Sequence, residues 1–156
     1  LMIHKALHLA QPGDVIVVDG GGDLTNALMG ELMVATAIKR GLGGIVLNGA
    51  IRDIDAIQAG DFPVYAAGIT HRGPYKDGPG EINVPIAING MVINPGDLIL
   101  GDADGLLCVP FEAAEQILDA ALGKCAAEKV TVKEIEEDRL DITWIDAQLA
   151  RLGYKA

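Results

Sequence analysis

The stretch Gly43-Gly-Ile-Val-Leu-Asn-Gly-Ala-Ile-Arg-Asp53 decides how this chain folds. Its apolar run predicts a buried strand over residues 44–48, which leads through a glycine turn into an arginine and an aspartate. Charged side chains at the end of a buried strand cost free energy unless something binds them. Arg52 and Asp53 are therefore the first candidate functional residues.

A second strand-to-helix junction lies upstream of this stretch. Val15-Ile-Val-Val-Asp-Gly-Gly-Gly22 predicts a strand over residues 14–19, and Gly30-Glu-Leu-Met33 opens a helix predicted over residues 31–40. In open sheets, ligands bind at the carboxyl ends of strands, and helix N-termini attract anions. The two junctions therefore predict one crevice that binds a small anion.

The remaining pattern predicts an α/β first half, a meandering β middle and a helical end. A gap-free similarity joins residues 12–22 and 95–105, each with a Pro-Gly-Asp turn, an apolar strand, an aspartate and a glycine-bearing exit. Asn89-Gly90 is a strong hairpin signal. The predicted elements are a short helix over 52–59, strands over 63–67, 82–88, 91–93, 97–101 and 105–109, a helix after Pro110, and a terminal helix carrying Trp144.

Composition limits the classes of partner. The 156 residues suit one domain, and a formal net charge of -10 disfavours nucleic acid and anionic membranes as partners. No apolar run is long enough to span a bilayer, so we expect a cytoplasmic protein. Cys108 and Cys125 are expected to be buried, reduced thiols. Because Leu1 falls in mid-pattern, a preceding N-terminal segment is expected to be missing.

Each candidate also has an ordinary structural explanation. Arg52 and Asp53 suit the first turn of a helix, and Glu31 suits compensation of a helix dipole. His71 lies in a basic loop that suits a lid or a subunit contact better than a metal site. Asp102 and Asp104 suit a turn, and Gly20–Gly22 lack the spacing of a dinucleotide-binding fingerprint.

The same motifs resemble the RraA-like family. This family includes divalent-metal-dependent 4-hydroxy-4-methyl-2-oxoglutarate aldolases and regulators of ribonuclease E. The resemblance covers residues 1–125 and implies a swivelling β/β/α domain with mixed sheets, followed by a C-terminal helical extension over 126–156. It is carried by segments 17–22, 30–33, 44–53, 81–86 and 95–105.

The resemblance to the aldolase branch also implies roles for individual residues. Asp53 is expected to bind Mg2+ or Mn2+, and Arg52 to contact a small 2-oxoacid substrate as a catalytic residue. The backbone amides of Gly30, Glu31, Leu32 and Met33 are expected to receive the substrate carboxylate. Glu31 is the expected catalytic base, although this position is often aspartate in the aldolases. Asn48-Gly49 departs from the Asp-Gly of many aldolases, which affects the surroundings of the site.

The expected activity is that of a metal-dependent (class II) aldolase, a carbon-carbon lyase that releases pyruvate and can also decarboxylate oxaloacetate. Asp53 favours this over the alternative, a non-catalytic regulator resembling the ribonuclease E inhibitors, because regulatory members commonly lose that aspartate. A methyltransferase is a third interpretation, for which the sequence has no glycine fingerprint. The family assembly implies a homotrimer or hexamer, with the Trp144 helix lying on a neighbouring subunit.

Overall fold

The computed structural model describes residues 1–154 and is a mixed α/β structure. It contains two compact units, one from Leu1 to Phe111 and one that begins at Glu112. The elements are α1 (Met2–Leu9), β1 (Val15–Asp19), β2 (Ala27–Met29), α2 (Glu31–Lys39), β3 (Gly44–Ile51), α3 (Ile54–Gln58), β4 (Val64–Ile69), β5 (Ile86–Ile88), β6 (Met91–Ile93), β7 (Leu98–Gly101), β8 (Leu106–Val109), a 3-10 turn (Phe111–Ala113), α4 (Ala114–Glu136) and α5 (Thr143–Arg151).

Strand β3 is the centre of a parallel sheet. Along one edge, β1 pairs with its first half and β2 with its end, whereas β4 pairs with the opposite edge. Seven of the eight β3 residues are buried, as expected for a parallel strand covered on both faces, and the exception is Asn48. The stretch from Gly43 to Asp53 therefore contains the central strand of the fold.

The hydrophobic core joins this sheet to three helices. Leu7 of α1, Val34 and Ala37 of α2, and Ile57 of α3 pack with apolar residues of β1, β2 and β3. Arg40 fixes the end of α1, because its Nη2 donates to the carbonyl oxygens of His8 at 2.9 Å and Ala10 at 3.2 Å. These bonds satisfy carbonyls that the end of a helix leaves without partners.

Two antiparallel hairpins complete the first unit. β5 and β6 join through Asn89 and Gly90, which both have positive φ, as a two-residue hairpin turn requires. β7 and β8 form the second hairpin. Among the residues of the two hairpins, Ile93 and Val109 are buried. The hairpin predicted at Asn89-Gly90 is thereby confirmed.

The predicted elements differ from the structure in several places. The strand predicted over 44–48 continues to Ile51, so no glycine turn separates it from Arg52. Strand β2 was not predicted, because its three residues lack any periodic signal. The strand predicted over 82–88 is shorter and begins at Ile86, directly after Pro85. The helix predicted after Pro110 continues to Glu136 and so includes most of the charged segment 133–138.

The second unit consists of α4 and α5, and neither helix contains a buried residue. Cys125 of α4 is exposed and Cys108 is half-buried, so the expectation of two buried thiols is wrong, although both are free. The division of the chain into a domain over 1–125 and an extension over 126–156 stays a prediction. Helix α4 crosses residue 125 without a break. Lys155 and Ala156, the last residues of that extension, lie outside the described residues.

No helix in the described part of the chain is long and apolar enough to cross a membrane.

Candidate active site at the ends of two parallel strands

Two strand-to-helix junctions lie side by side in the sheet. Met29, the last residue of β2, is in register with Ile51, the last residue of β3. The backbone N–H of Arg52 donates to the carbonyl oxygen of Met29 at 3.0 Å, so the chain leaves both strands at the same level. The N-terminus of α2 therefore lies beside Arg52 and Asp53, and the anion-binding crevice predicted at these junctions stays a prediction.

Asp53 connects the two junctions. Its Oδ2 accepts a hydrogen bond from the backbone N–H of Glu31 at 3.0 Å and lies 3.6 Å from Nε of Arg52. The carboxylate therefore stabilises the N-terminus of α2, where a negative charge is favoured by the helix dipole. These two contacts bring together three of the predicted site residues, although 22 positions separate Glu31 from Asp53.

The backbone of Asp53 has an unusual conformation. With φ 61° and ψ 37°, it lies in the left-handed region immediately before α3. Aspartate tolerates this region better than most residues, yet the conformation still costs about 1 kcal/mol or more. Such strain persists where the surrounding structure fixes it, and it is frequent at functional sites.

Gly30 allows the junctions to approach each other this closely. A Cβ atom at this position would lie 2.5 Å from Oδ2 of Asp53 and 2.9 Å from Cγ of Arg52. The φ of Gly30 is -153°, which any residue adopts, so contact rather than backbone freedom requires glycine here. A side chain at position 30 would displace the carboxylate and the arginine together.

The backbone amides expected to receive a substrate carboxylate differ in availability. The N–H of Glu31 donates to Asp53, and the N–H of Met33 donates to the carbonyl oxygen of Gly30 at 3.1 Å. Within residues 1–154, the N–H groups of Gly30 and Leu32 donate to no protein acceptor. The predicted use of all four amides stays a prediction, with Gly30 and Leu32 as the available donors.

The side chains of the site are accessible to a ligand. The side chains of Arg52 and Asp53 are 44% and 42% exposed. Glu31 is also exposed, and across the described residues its carboxylate forms no ion pair. An anion entering from solvent can therefore reach both the guanidinium and the N-terminus of α2.

The segment Thr70–Gly73, which follows β4, is a neighbour of the site that the sequence analysis did not place there. The N–H of Thr70 donates to the carbonyl oxygen of Ile51 at 2.9 Å, and the carbonyl oxygen of Arg72 accepts from Ala27 at 2.8 Å. A Cβ atom at Gly73 would lie 3.4 Å from Nη1 of Arg52. The basic residues of this loop suited a lid or a subunit contact, and its hydrogen bonds to β2 and β3 leave no local signal in the sequence.

The glycine segment Gly20–Gly22 lies at the end of β1, against Asn48. The carbonyl oxygen of Asn48 accepts from Gly20 at 2.9 Å and from Gly22 at 3.1 Å. Its side-chain Nδ2 donates to Oδ1 of Asp19 at 2.9 Å. An aspartate at position 48 would bring a second carboxylate against Asp19, so the asparagine is the residue that suits this neighbour.

Asp53 offers one carboxylate oxygen that could hold a hard divalent ion, with water as the other ligands. No group of three or more histidine, cysteine, aspartate or glutamate side chains lies close enough to hold a metal within the described chain. A closed zinc site is therefore not formed by these residues. Mg2+ typically binds through one or two carboxylates and retains several waters, and Oδ1 of Asp53 accepts no hydrogen bond from residues 1–154.

The other candidate acidic residues form a turn. Oδ1 of Asp102 accepts from the backbone N–H of Asp104 at 2.8 Å and from that of Gly105 at 3.3 Å. This is the local hydrogen bonding typical of an aspartate turn, which confirms the structural explanation for this segment.

Comparison with known proteins gives a consistent family. Residues 1–108 match the family model of RraA-like proteins, described as Aldolase/RraA. A putative 4-hydroxy-4-methyl-2-oxoglutarate aldolase of Halalkalibacterium halodurans is 42% identical over 142 residues, covering 91% of this chain and 68% of that protein. The 4-hydroxy-4-methyl-2-oxoglutarate aldolase of Thermus thermophilus is 36% identical over 109 residues, covering 70% and 66%.

A solved structure resembles the fold as well. RraAS2 of Streptomyces coelicolor, described as an unusual member of the RNase ES inhibitor RraA protein family, aligns with a TM-score of 0.79 at 30% identity. The alignment covers 85% of this chain and 68% of that one. The chain thus spans about two thirds of the length of the relatives it matches. On these matches and this fold, the chain belongs to the RraA-like family.

Proposed function

We propose that this chain carries the site of a lyase that cleaves a 4-hydroxy-2-oxoacid by a retro-aldol reaction and releases pyruvate. The observation that carries the proposal is the contact of Asp53 Oδ2 with the N–H of Glu31, beside Arg52 Nε. It places a guanidinium, a carboxylate and a helix N-terminus at one accessible point. The aldolase names of the relatives at 36–42% identity support the same reaction class.

Each residue has a proposed role in binding or proton transfer. The free N–H groups of Gly30 and Leu32 bind the substrate carboxylate at the N-terminus of α2. The Arg52 guanidinium donates to the 2-oxo oxygen and stabilises the negative charge that develops there. The exposed carboxylate of Glu31 is the group available to take the proton from the 4-hydroxyl.

The reaction balances without an external oxidant or reductant. As the 4-hydroxyl loses its proton, the bond between C3 and C4 breaks and its electrons move towards the 2-oxo oxygen. The products are a carbonyl compound and an enolate, which takes a proton at C3 to give pyruvate. Loss of CO2 from oxaloacetate produces the same enolate, so decarboxylation is proposed as a second activity.

Asp53 is the residue proposed to hold a divalent ion, Mg2+ or Mn2+. When bound, such an ion supplies Lewis-acid stabilisation of negative charge on substrate oxygens. Asp53 is suited to hold it because the bond from Glu31 fixes its carboxylate. The free cysteines are consistent with a cytoplasmic location, which belongs to this proposal.

A pyruvate-release assay tests the proposal directly. The purified protein is incubated with a panel of 4-hydroxy-2-oxoacids and oxaloacetate, with Mg2+, with Mn2+ and after exhaustive chelation. We expect metal-dependent release from at least one compound, and we expect Arg52→Lys to lose most of it because lysine cannot form the planar contact. Full turnover after chelation contradicts the role of the metal, and wild-type turnover of the lysine variant contradicts that of Arg52.

The second candidate function is that of a non-catalytic regulator. The structural similarity to RraAS2 and the net charge of -10, which suits a basic partner, favour it. Calorimetry separates the two functions, because an aldolase binds oxalate only when Mg2+ or Mn2+ is present. Absence of metal-linked binding, together with tight binding to a ribonuclease E fragment, supports the regulator.

A homotrimer or a hexamer is the proposed assembly. In the single chain, α5 leaves Trp144 62%, Ile145 39% and Leu149 38% exposed. Burying such side chains on a neighbouring subunit stabilises an assembly by roughly 25 cal/mol per Å2. Light scattering of the intact chain and of a chain that lacks residues 141–156 tests this, and a stable intact monomer at micromolar concentration contradicts it.

A further inference from the structure

The segment Thr70–Gly73 is fixed to the two strands that lead into the site. At one end, Thr70 donates to the carbonyl oxygen of Ile51, the residue before Arg52. At the other end, the carbonyl oxygen of Arg72 accepts from Ala27 at the start of β2. Two hydrogen bonds to β2 and β3 within three residues define the backbone position of this segment beside the site.

The end of the segment lies close to the guanidinium of Arg52. The ideal Cβ position of Gly73 lies 3.4 Å from Nη1 of Arg52, so the Gly73 backbone is a neighbour of this group. Consecutive Cα atoms are about 3.8 Å apart, which puts the backbone of Arg72 one residue away from the same guanidinium. The backbone of Arg72 is thus close to the guanidinium of Arg52.

Arg72 is a cation that the described chain does not neutralise. It is exposed, and within residues 1–154 its side chain lies within 4.0 Å of no carboxylate, whereas Arg52 pairs with Asp53. The chain as a whole carries 22 acidic and 12 basic side chains. An unpaired arginine next to Arg52 in such an acidic chain is therefore a local site for a second negative charge.

We propose that Arg72 determines specificity by binding the distal carboxylate of a dicarboxylic 4-hydroxy-2-oxoacid. This inference rests on the proposed function, in which Arg52 and the N-terminus of α2 bind the other end of the substrate. The planar guanidinium of Arg72 offers a two-point contact to a carboxylate. A substrate with an uncharged tail has no group for this contact.

Kinetics with two substrates tests the proposal. Pyruvate release from 4-hydroxy-2-oxoglutarate, which has a distal carboxylate, is compared with release from 4-hydroxy-2-oxopentanoate, which has none. In Arg72→Ala, we expect the ratio of kcat/KM for the two substrates to fall about tenfold or more, mainly through KM of the dicarboxylate. Arg72→Lys should restore part of the ratio, because it keeps the charge.

Lys76 provides the matched control, since it is an exposed cation of the same loop. Lys76→Ala should keep the wild-type ratio. An unchanged ratio in Arg72→Ala, or an equal loss with both substrates, overturns the specificity role while the proposed function stands. Failure of the wild-type protein to release pyruvate from either substrate with Mg2+ or Mn2+ overturns both proposals.

Discussion

Two segments of the chain, Pro12–Gly22 and Pro95–Gly105, begin with the same turn. The N–H of Gln11 donates to Asp14 Oδ2 at 2.8 Å, and the N–H of Asn94 donates to Asp97 Oδ2 at the same distance. The glycine between proline and aspartate has φ 90° in the first turn and 95° in the second. Each motif therefore builds its turn from its own residues.

The two segments also end alike. After β1, Oδ1 of Asp19 accepts from the N–H of Gly21 at 2.9 Å. After β7, Oδ1 of Asp102 accepts from the N–H of Asp104 at 2.8 Å. The aspartates occupy equivalent positions of the motif, so the second half of the similarity is structural as well.

The strands between these turns have different partners. β1 is parallel to β3 and belongs to the sheet whose strand ends carry the candidate site, whereas β7 is antiparallel to β8 in a hairpin. Similar sequences thus produce the same local turns and different sheets. Local hydrogen bonds fix the turns, but the choice of partner strand depends on what the rest of the chain supplies.

The variant with the largest expected effect tests whether the active site lies at the ends of the parallel strands. Asp53→Ala should lower metal-dependent pyruvate release about 100-fold or more, as loss of a group that stabilises developing charge does. Asp102→Ala, at the exit of the hairpin strand, should retain activity. Steady-state kinetics of both variants checks this, and equal losses contradict the location of the site.

The second largest effect is expected at the residues that follow β1 and β7. Gly20 aligns with Ala103, but a Cβ at Gly20 would lie 2.8 Å from the carbonyl oxygen of Asn48. Gly20→Ala should therefore destabilise the fold by about 1–2 kcal/mol, even though alanine restricts the unfolded chain. Ala103→Gly should cost less than about 1 kcal/mol. Denaturant unfolding measures both, and equal costs would show that the exits are equivalent.

The aspartate of the second turn should make the stability of the protein depend on pH. The backbone hydrogen bond from Asn94 lowers the pKa of Asp97 below its ordinary value of 3.8, with smaller contributions from Phe111 and Cys108. A lowered folded pKa stabilises the protein above the unfolded value, and this stabilisation disappears as pH falls through the folded value. Asp14 accepts the corresponding turn hydrogen bond, from Gln11, whereas Phe111 and Cys108 donate to Asp97 and not to Asp14.

We therefore expect Asp97→Ala to lower Tm at pH 7 more than Asp14→Ala does. The deficit of Asp97→Ala should shrink as the pH falls below about 4, because the wild-type carboxylate then becomes protonated. Thermal unfolding between pH 3 and pH 7 measures this. A deficit that does not change with pH would show that the charge of Asp97 is not what stabilises the second turn.

The smallest effect concerns the thiol beside the second turn. Burial raises the pKa of Cys108, and its hydrogen bond to Asp97 raises it further. Asp97→Ala should increase alkylation of Cys108 at neutral pH by a few-fold, since more thiolate is present. Mass spectrometry follows the reaction, with exposed Cys125 as the internal reference. No change in the ratio contradicts the link between Asp97 and the thiol.

Sequence reasoning predicted the strands with strong patterns and the residues that leave them. The apolar run before Arg52 predicts β3 over residues 44–48, although the strand continues to Ile51. The glycine before Glu31 predicts the start of α2, which the structure confirms. It missed β2, whose three residues have no periodicity of their own and become a strand by pairing with the end of β3. It also missed the position of Thr70–Gly73, because both of its anchors are remote in sequence.

The sequence by itself determined the local features: the two aspartate turns, the glycine-bearing exits and the hairpin at Asn89-Gly90. In each of them a residue bonds to its own neighbours or adopts a φ that few other residues tolerate. Only the tertiary structure decided that β1 pairs with β3 while β7 pairs with β8, and that Asp53 reaches the N–H of Glu31. Those contacts join residues far apart in the chain, and their energy depends on burial in a common core that no short segment can specify.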